Sequence, residues 1–379
     1  LNNWIEISAE RLTANFLAIQ AMAGVETTVL AVIKANAYGH GAETCAPILI
    51  RAGATWLGVT CASEGARVRK TLRAEDLDAE ILVMCGFLSE DAAAIAEFGL
   101  TPVVWTREQV EWLRPYAGTR IHVEVDTGMG RQGVAEEDFP RFIGVAGAAG
   151  LVVEGVFTHF SSAEVANSAR NEGQKRGFES VLGCFGALGL KPRWVHAGNT
   201  SAIDNPGADA GWIARLAASV GARAMVRPGL ALYGYALPIE GAGMSHLRGA
   251  LRPVMTWKAH VLAVRELAAG DTVGYSATFT AERPMRVALL PVGYADGLRR
   301  ELSSTNERPG GWVTIRGQRA AILGRISMNL TVVDVTGIAG EVCAGDEAVV
   351  LGDGVTADDH AGLAGTIAYE ILCGIHPCG

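Results

Sequence analysis

Between residues 28 and 227, short runs of β-branched and apolar residues alternate with longer runs rich in alanine and charge. The short runs have the length of buried strands and the longer ones the period of helices, which is the pattern of repeated βα units. The strand-like runs are Thr28–Lys34, Trp56–Thr60, Ile81–Cys85, Pro102–Trp105, Arg120–Asp126, Leu151–Thr158, Arg193–Val195 and Ala224–Arg227. Ser63–Arg73 and Asp91–Phe98 are examples of the helices between them. This alternation predicts a closed (β/α)8 TIM barrel. An open doubly wound sheet has about five to seven strands, and no GxGxxG motif follows the first run.

Beyond Tyr235 the helical period gives way to strands and turns: Val254–Val264, Arg286–Pro291, Trp312–Arg316, Ala320–Leu323 and Val332–Val335. Gly317-Gln318, between Arg316 and Arg319, suits a two-residue hairpin turn with glycine at its first central position. The expected architecture is α/β, an N-terminal barrel followed from about residue 236 by a mainly-β domain. Ala357–Ile375 reads as one amphipathic helix and Asn3–Ser8 as a strand. Ala9–Met22 reads as a helix capped by Ser8, with Leu12, Phe16 and Ile19 on one face.

Composition narrows the class. The 379 residues allow one large or two moderate domains, and 49% hydrophobic against 19% charged residues, with a mean hydropathy of +0.23, give ample apolar surface for a core. A net charge of −8 with no basic tract disfavours nucleic acid or an anionic membrane as partner. The longest nearly unbroken apolar stretch, Phe142 to Val153, is too short to cross a bilayer. Seven scattered cysteines (45, 61, 85, 184, 343, 373 and 378), with no CxxC pair, read as a reducing, cytoplasmic setting. The chain opens on Leu1 rather than Met, which leaves room for a trimmed segment.

In a TIM barrel, residues just past the C-terminal ends of the strands converge on one mouth. Lys34 closes the first predicted strand, Arg131 follows the fifth, His159 the sixth, His196 and Asn199 the seventh, and Arg227 ends the eighth. Such a mouth suits a small anionic ligand, and a lysine ending an apolar strand is what covalent chemistry on a carbonyl compound requires. Each residue alone has a plainer reading: a solvated lysine, a histidine satisfied by backbone, an Arg131 paired with Glu124 or Asp126, a strand-end Tyr275. Their joint placement favours a site. No HxxxH or HxH spacing marks a metal site, and neither a GxxxxGK[ST] loop nor a GxSxG elbow is present.

The segment Ala31-Val32-Ile33-Lys34-Ala35-Asn36-Ala37-Tyr38-Gly39-His40-Gly41 resembles the pyridoxal-phosphate attachment signature of alanine racemases, which are fold type III enzymes. Further family-like motifs follow in order: Asp126–Arg131, Thr158-His159-Phe160, His196–Ala202, Arg227–Leu230 with Tyr233-Gly234, Gly274–Thr278, Gly293–Gly297, Gly324–Met328 and Tyr369-Glu370. The resemblance implies a barrel domain (9–235), a C-terminal β domain (236–379 with 1–8) and a homodimer with shared active sites. It makes Lys34 the residue that carries pyridoxal 5'-phosphate. Tyr38, Thr200, Tyr369 and the backbone of Gly229 and Leu230 would hold the phosphate, with Asn199 beside them. His159 would lie near the ring, and Arg227, supported by His196, would face the pyridine nitrogen. Arg131 would meet the substrate carboxylate, assisted by the backbone of the partner subunit's Met328. The partner subunit's Tyr275 would be the second catalytic base beside Lys34.

The implied activity is interconversion of L- and D-alanine, supplying D-alanine for peptidoglycan. The alternatives are a serine or broader-specificity racemase and, in a different class, a non-catalytic pyridoxal-phosphate-binding protein. Four departures from the family pattern stand out. Glu124 occupies the position of a carbamylated lysine and is expected to orient Arg131 by a charge-assisted pair. Asn329 replaces an aspartate. The stretch 203–226 looks long enough for an inserted surface helix or loop, and the ending Pro377-Cys378-Gly379 stops short of the usual basic one.

Overall fold

The computed structural model describes residues 2–209, 211–242 and 245–377. The chain divides into two compact units: Glu10–Ala37 with Gly41–Arg252, and Leu1–Ala9 with Tyr38–His40 and Pro253–Gly379. The change of unit thus falls at 252/253, whereas the sequence reading placed a change of domain near 236.

The chain begins with strand β1 (Asn3–Ile7) and helix Ala9–Ala23, whose inner face buries Leu12, Phe16 and Ile19. The barrel strands follow as β2 (Thr27–Val32), β3 (Trp56–Val59), β4 (Glu80–Val83), β5 (Thr101–Val104), β6 (Arg120–Asp126), β7 (Val152–Phe157), β8 (Trp194–His196) and β9 (Arg223–Val226). All pair in parallel in the order β5-β4-β3-β2-β9-β8-β7-β6, and β5 pairs with β6 to close the ring. Every residue of β3 and β5 is buried, as expected of strands covered on both faces by side chains and helices. Helix Trp212–Ser219, packed on Ile213 and Ala217, lies between β8 and β9 in the regular barrel repeat, so the long stretch 203–226 holds a barrel helix rather than a surface appendage.

The second unit is built on an antiparallel sheet. Its strands after β1 are β10 (Met255–His260), β11 (Ala263–Leu267), β12 (Met285–Leu290), β13 (Trp312–Ile315), β14 (Gln318–Leu323), β15 (Thr331–Asp334) and β16 (Glu347–Leu351). They run in the order β1-β10-β16-β13-β14-β15-β12-β11. Leu267, Val273, Ala281, Met285, Val287 and Leu323 form an apolar cluster under one end.

Three expectations are corrected here. The run Val254–Val264 is two strands, because the chain changes partner at Val261/Leu262: Val261 N–H donates to Asp346 O at 2.8 Å and Leu262 N–H to Leu289 O at 2.8 Å. In the β13–β14 hairpin Ile315 faces Gln318, so the central turn residues are Arg316 and Gly317, both left-handed at φ 52° and 72°. That is the primed turn whose twist suits a two-residue hairpin. The expected helix Ala357–Ile375 is split into Ala357–Ala364 and Ala368–Cys373 by Gly365, which ends the first piece at φ 70°. The six described cysteines are free, and Cys378 with Gly379 lies outside the described residues. Among the described residues no helix is long and apolar enough to cross a membrane.

Candidate active site

Strand β2 ends at Val32, two residues before Lys34, so the lysine heads the following turn rather than closing the strand. Ala35, Asn36, Ala37 and Tyr38 all have φ between 52° and 55°. A run of left-handed residues without glycine costs roughly 1–2 kcal/mol per residue and persists only where its surroundings hold it. Here the bracing is on the page. Ala35 N–H donates to Thr60 Oγ1 at 3.1 Å, Ala37 N–H to Ile33 O at 2.8 Å, and Ala42 N–H to Asn36 Oδ1 at 2.9 Å. The buried Glu64 carboxylate accepts Asn36 N–H on one oxygen and Thr60 N–H on the other, both at 2.7 Å. The turn lifts Lys34, half-buried, at the C-terminal mouth of the barrel.

Arg227 follows β9 and is buried. Its Nη1 donates to His196 Nδ1 at 2.9 Å, and its Nη2 to Thr158 O at 3.0 Å and His159 Nδ1 at 3.2 Å. The guanidinium carbon lies 4.7 Å from the Phe157 ring centroid. Burial pulls its pKa down to about 10, still well above neutral pH. The Nε–H has no hydrogen-bond partner among the described residues. His196 is the last residue of β8, not past it, and is fully buried. His159 is pulled down to about 3 by burial first, then by Arg227, Arg131 and Lys34, and is therefore a neutral acceptor within electrostatic reach of all three cations.

The Asp126 carboxylate is occupied by its own loop, accepting the N–H groups of Gly128, Met129 and Gly130 at 2.8–3.1 Å. Arg131 leaves this loop exposed and forms no ion pair among the described residues. Glu124, buried in β6, accepts a hydrogen bond from Gln132 Nε2, which also donates to Met84 O at 3.0 Å. The expected Glu124–Arg131 pair is thus replaced by Glu124–Gln132, because the loop returns Gln132, one residue later, to the strand. Thr200, buried, accepts the N–H of Gly229 and of Ala231 on Oγ1, both at 3.2 Å. The Gly229 amide expected to face a phosphate is therefore held by the threonine. Asn199 caps the short helix Thr200–Asp204, accepting Ala202 N–H at 3.0 Å.

In the second unit, the rings of Tyr38 and Tyr369 lie 5.7 Å apart. Tyr275 starts a tight turn between two short strand pieces, Thr272–Val273 and Phe279–Thr280, and is 67% exposed. Gly274 before it has φ 78°, and a Cβ there would meet Arg325 N at 2.9 Å, so glycine is required for this approach. Arg325 Nη1 donates to Ser276 Oγ at 3.0 Å and braces the turn. Met328 is 56% exposed beside the similarly open Tyr294 and Leu330, and Asn329 is exposed between them.

The family model described as "Alanine racemase, N-terminal domain" matches residues 7–237, and that described as "Alanine racemase, C-terminal domain" matches residues 254–378. A curated alanine racemase of Symbiobacterium thermophilum is 36% identical over 98% of this chain and 94% of its own length. The solved alanine racemase from D-cycloserine-producing Streptomyces lavendulae aligns with a TM-score of 0.85 at 31% identity, covering 99% of this chain and 94% of that one. That of Bartonella henselae, solved with covalently bound pyridoxal phosphate, aligns at 0.82 and 26% identity over 100% and 98%. The chain belongs to the alanine racemase family. Its activity is that of an alanine racemase, a pyridoxal-phosphate-dependent amino-acid isomerase.

The residues present fit the cofactor of an alanine racemase. Arg227 Nε–H is a buried donor with no acceptor, and a pyridine nitrogen supplies one. Lys34 supplies an amine at the same mouth. Three further residues of this racemase fold were not singled out by sequence reading: Glu64, which clamps the lysine turn; Gln132, which holds Glu124; and His122, which contacts His196. Glu64 lies one residue into a predicted helix behind the lysine segment, where a buried carboxylate is indistinguishable in sequence from a solvated first-turn acid. His122 sits inside the predicted strand Arg120–Asp126, one of four polar residues that alternate with Ile121, Val123 and Val125, so nothing in the sequence sets it apart from Arg120, Glu124 or Asp126.

Proposed function

We propose that this chain racemises alanine by a two-base mechanism in which Lys34 moves the Cα proton on one face and the partner subunit's Tyr275 on the other. When bound, pyridoxal 5'-phosphate supplies a conjugated ring that accepts electron density as the proton leaves. Arg227 would offer its Nε–H to the ring nitrogen without surrendering the proton, since a guanidinium at about 10 stays charged at neutral pH. A donor of this kind would keep the bound ring a weaker electron sink than a protonated one and so favour return of the proton over side reactions. The buried, unpartnered Nε–H is the observation that carries this reading. By resemblance Thr200, Tyr38, Tyr369, Asn199 and the Leu230 backbone hold the phosphate, with Thr200 Oγ1 bracing the segment through the Gly229 and Ala231 amides. Arg131, free of ion pairs, receives the substrate carboxylate, with His159 supporting Arg227.

The exposed Tyr275 and Met328 support a homodimer in which each protomer completes its partner's site, since an open Tyr, Met and Leu patch is costly unless covered. The setting is cytoplasmic and the product D-alanine serves peptidoglycan. Chiral analysis of alanine turnover in the Tyr275→Phe variant tests the assignment. Loss of a positioned acid-base group is expected to cost roughly 100-fold or more in rate while cofactor absorbance is retained. Wild-type rates in both directions would sink the two-base assignment, and preference for serine or a larger side chain would move the substrate reading to a broader racemase.

A further inference from the structure

We propose that His122 and Glu154 are positioning residues for Arg227, acting through His196 along a line of fixed tautomers inside the barrel. The inference rests on the assignment of Arg227 to the cofactor ring. An arginine only donates, so His196 Nδ1, 2.9 Å from Arg227 Nη1, must be the acceptor and the His196 proton must sit on Nε2. That Nε2 lies 2.9 Å from His122 Nδ1, which must accept in turn, and the His122 proton is then on Nε2. Among the described residues His122 Nε2 has no hydrogen-bond partner, and 4.0 Å away stands Glu154 Oε2, likewise without one.

The line therefore starts beside the mouth and ends near the start of β7. There the other Glu154 oxygen meets Arg120 at 3.3 Å and Arg193 at 3.6 Å. All its N–H groups point the same way, from the guanidinium toward the carboxylate, so their dipoles reinforce one another and the charges at the two ends. The alternative His122 tautomer would set two donors against each other at 2.9 Å. Burial holds both imidazoles neutral, His122 down to about 3 and His196 well below the ordinary histidine range, with Arg227 acting in the same direction.

The packing is built around these rings. Trp56 lies 5.2 Å and His196 4.9 Å from the His122 centroid, and Phe157 stacks on His196 at 4.4 Å. A Cβ at Gly155 would come within 2.6 Å of the His122 ring, so β7 carries a glycine where the imidazole must fit. In this arrangement Arg227 sets the His196 tautomer and His122 accepts the Nε2–H that results, while His196, His159 and the Thr158 carbonyl hold the guanidinium and leave Nε without a partner among the described residues.

The test is histidine 15N NMR on the full-length chain, without and then with pyridoxal phosphate, for wild type, His122→Phe and Glu154→Gln. In wild type both His122 and His196 should show the Nε2–H tautomer unchanged from about pH 5 to 8, where an ordinary histidine titrates. Phe keeps the ring stacking but accepts nothing. It should shift the His196 Nε2–H resonance, which has lost its acceptor, and weaken pyridoxal-phosphate retention roughly tenfold, as expected for an orphaned buried donor. Glu154→Gln, far from the mouth and nearly isosteric, should move the His122 Nε2 resonance. An Nδ1–H tautomer at His196, or a His196 signal unaffected by His122→Phe in a folded protein, overturns the proposal. The tautomer measurement needs no cofactor, so it stands or falls separately from the cofactor assignment.

Discussion

Glu124 shows what one carboxyl does when a barrel closes over it. Burial pushes its pKa from 4.5 up to about 7, against the lowering by the Gln132 hydrogen bond and by Arg227 and Arg131. The folded chain therefore keeps a proton there that the unfolded chain has already released, and this contribution to stability is full below about 4.5 and lost as pH rises through about 7. Glu124→Gln cannot titrate. It should gain on wild type by on the order of 3 kcal/mol as pH is raised across that window, checked by urea melts at both ends. Parallel pH profiles for the two proteins would show that Glu124 does not titrate there. The position of this residue was legible in the sequence, but its partner was not. Arg131 and Gln132 are adjacent, and only the Asp126-anchored loop decides which of them reaches the strand.

At the scale of elements, the barrel strands could be read because parallel strands covered on both faces are continuous apolar runs, while the lysine turn could not. Left-handed backbone is foreshadowed by glycine or asparagine, and of Ala35, Asn36, Ala37 and Tyr38 only Asn36 gives that hint. The conformation is imposed from outside, by Thr60 and above all by Glu64. Glu64→Gln replaces one of two acceptors with a donor facing a backbone N–H. It should cost about 1–3 kcal/mol of stability and slow covalent attachment of pyridoxal phosphate to Lys34. Denaturant melts and the rate at which cofactor absorbance develops would read the two effects. Unchanged attachment in a destabilised variant would mean that Glu64 braces the fold but not the lysine. The helix break at Gly365 was missed for the opposite reason: the amphipathic period continues across it, and a single glycine in such a pattern reads as tolerated.

Across the whole molecule, buried histidines set the response to acid. Burial pulls His122 and His159 down to about 3, His360 to about 4 and His196 well below 6.5. Their folded pKa values are depressed, so the unfolded chain binds protons first. The stability they contribute is present above about 6.5 and lost as pH falls toward 3, roughly 1.4 kcal/mol per pH unit for each. Glu124 offsets about one of them between 4.5 and 6.5, and His360 stops contributing below about 4, so the melting temperature should fall steadily from about pH 6.5 downward. A flat profile from pH 8 to 4 would contradict the burial of these rings.

Strand β1 pairs antiparallel with β10, with Ile7 opposite Met255 and Ser8 N–H donating to Val254 O at 3.0 Å. In chain topology the barrel is an insert in a hairpin, leaving the sheet and returning to it at one point. During synthesis β1 is made before the barrel and waits for a partner made only after the last barrel strand. Closing so long a loop is entropically costly in an open chain, but a barrel that has already folded shortens it to the gap between its own two ends. The five register pairs from Asn3 opposite Ala259 to Ile7 opposite Met255 are therefore contacts of very long sequence separation, the kind that forms late in folding.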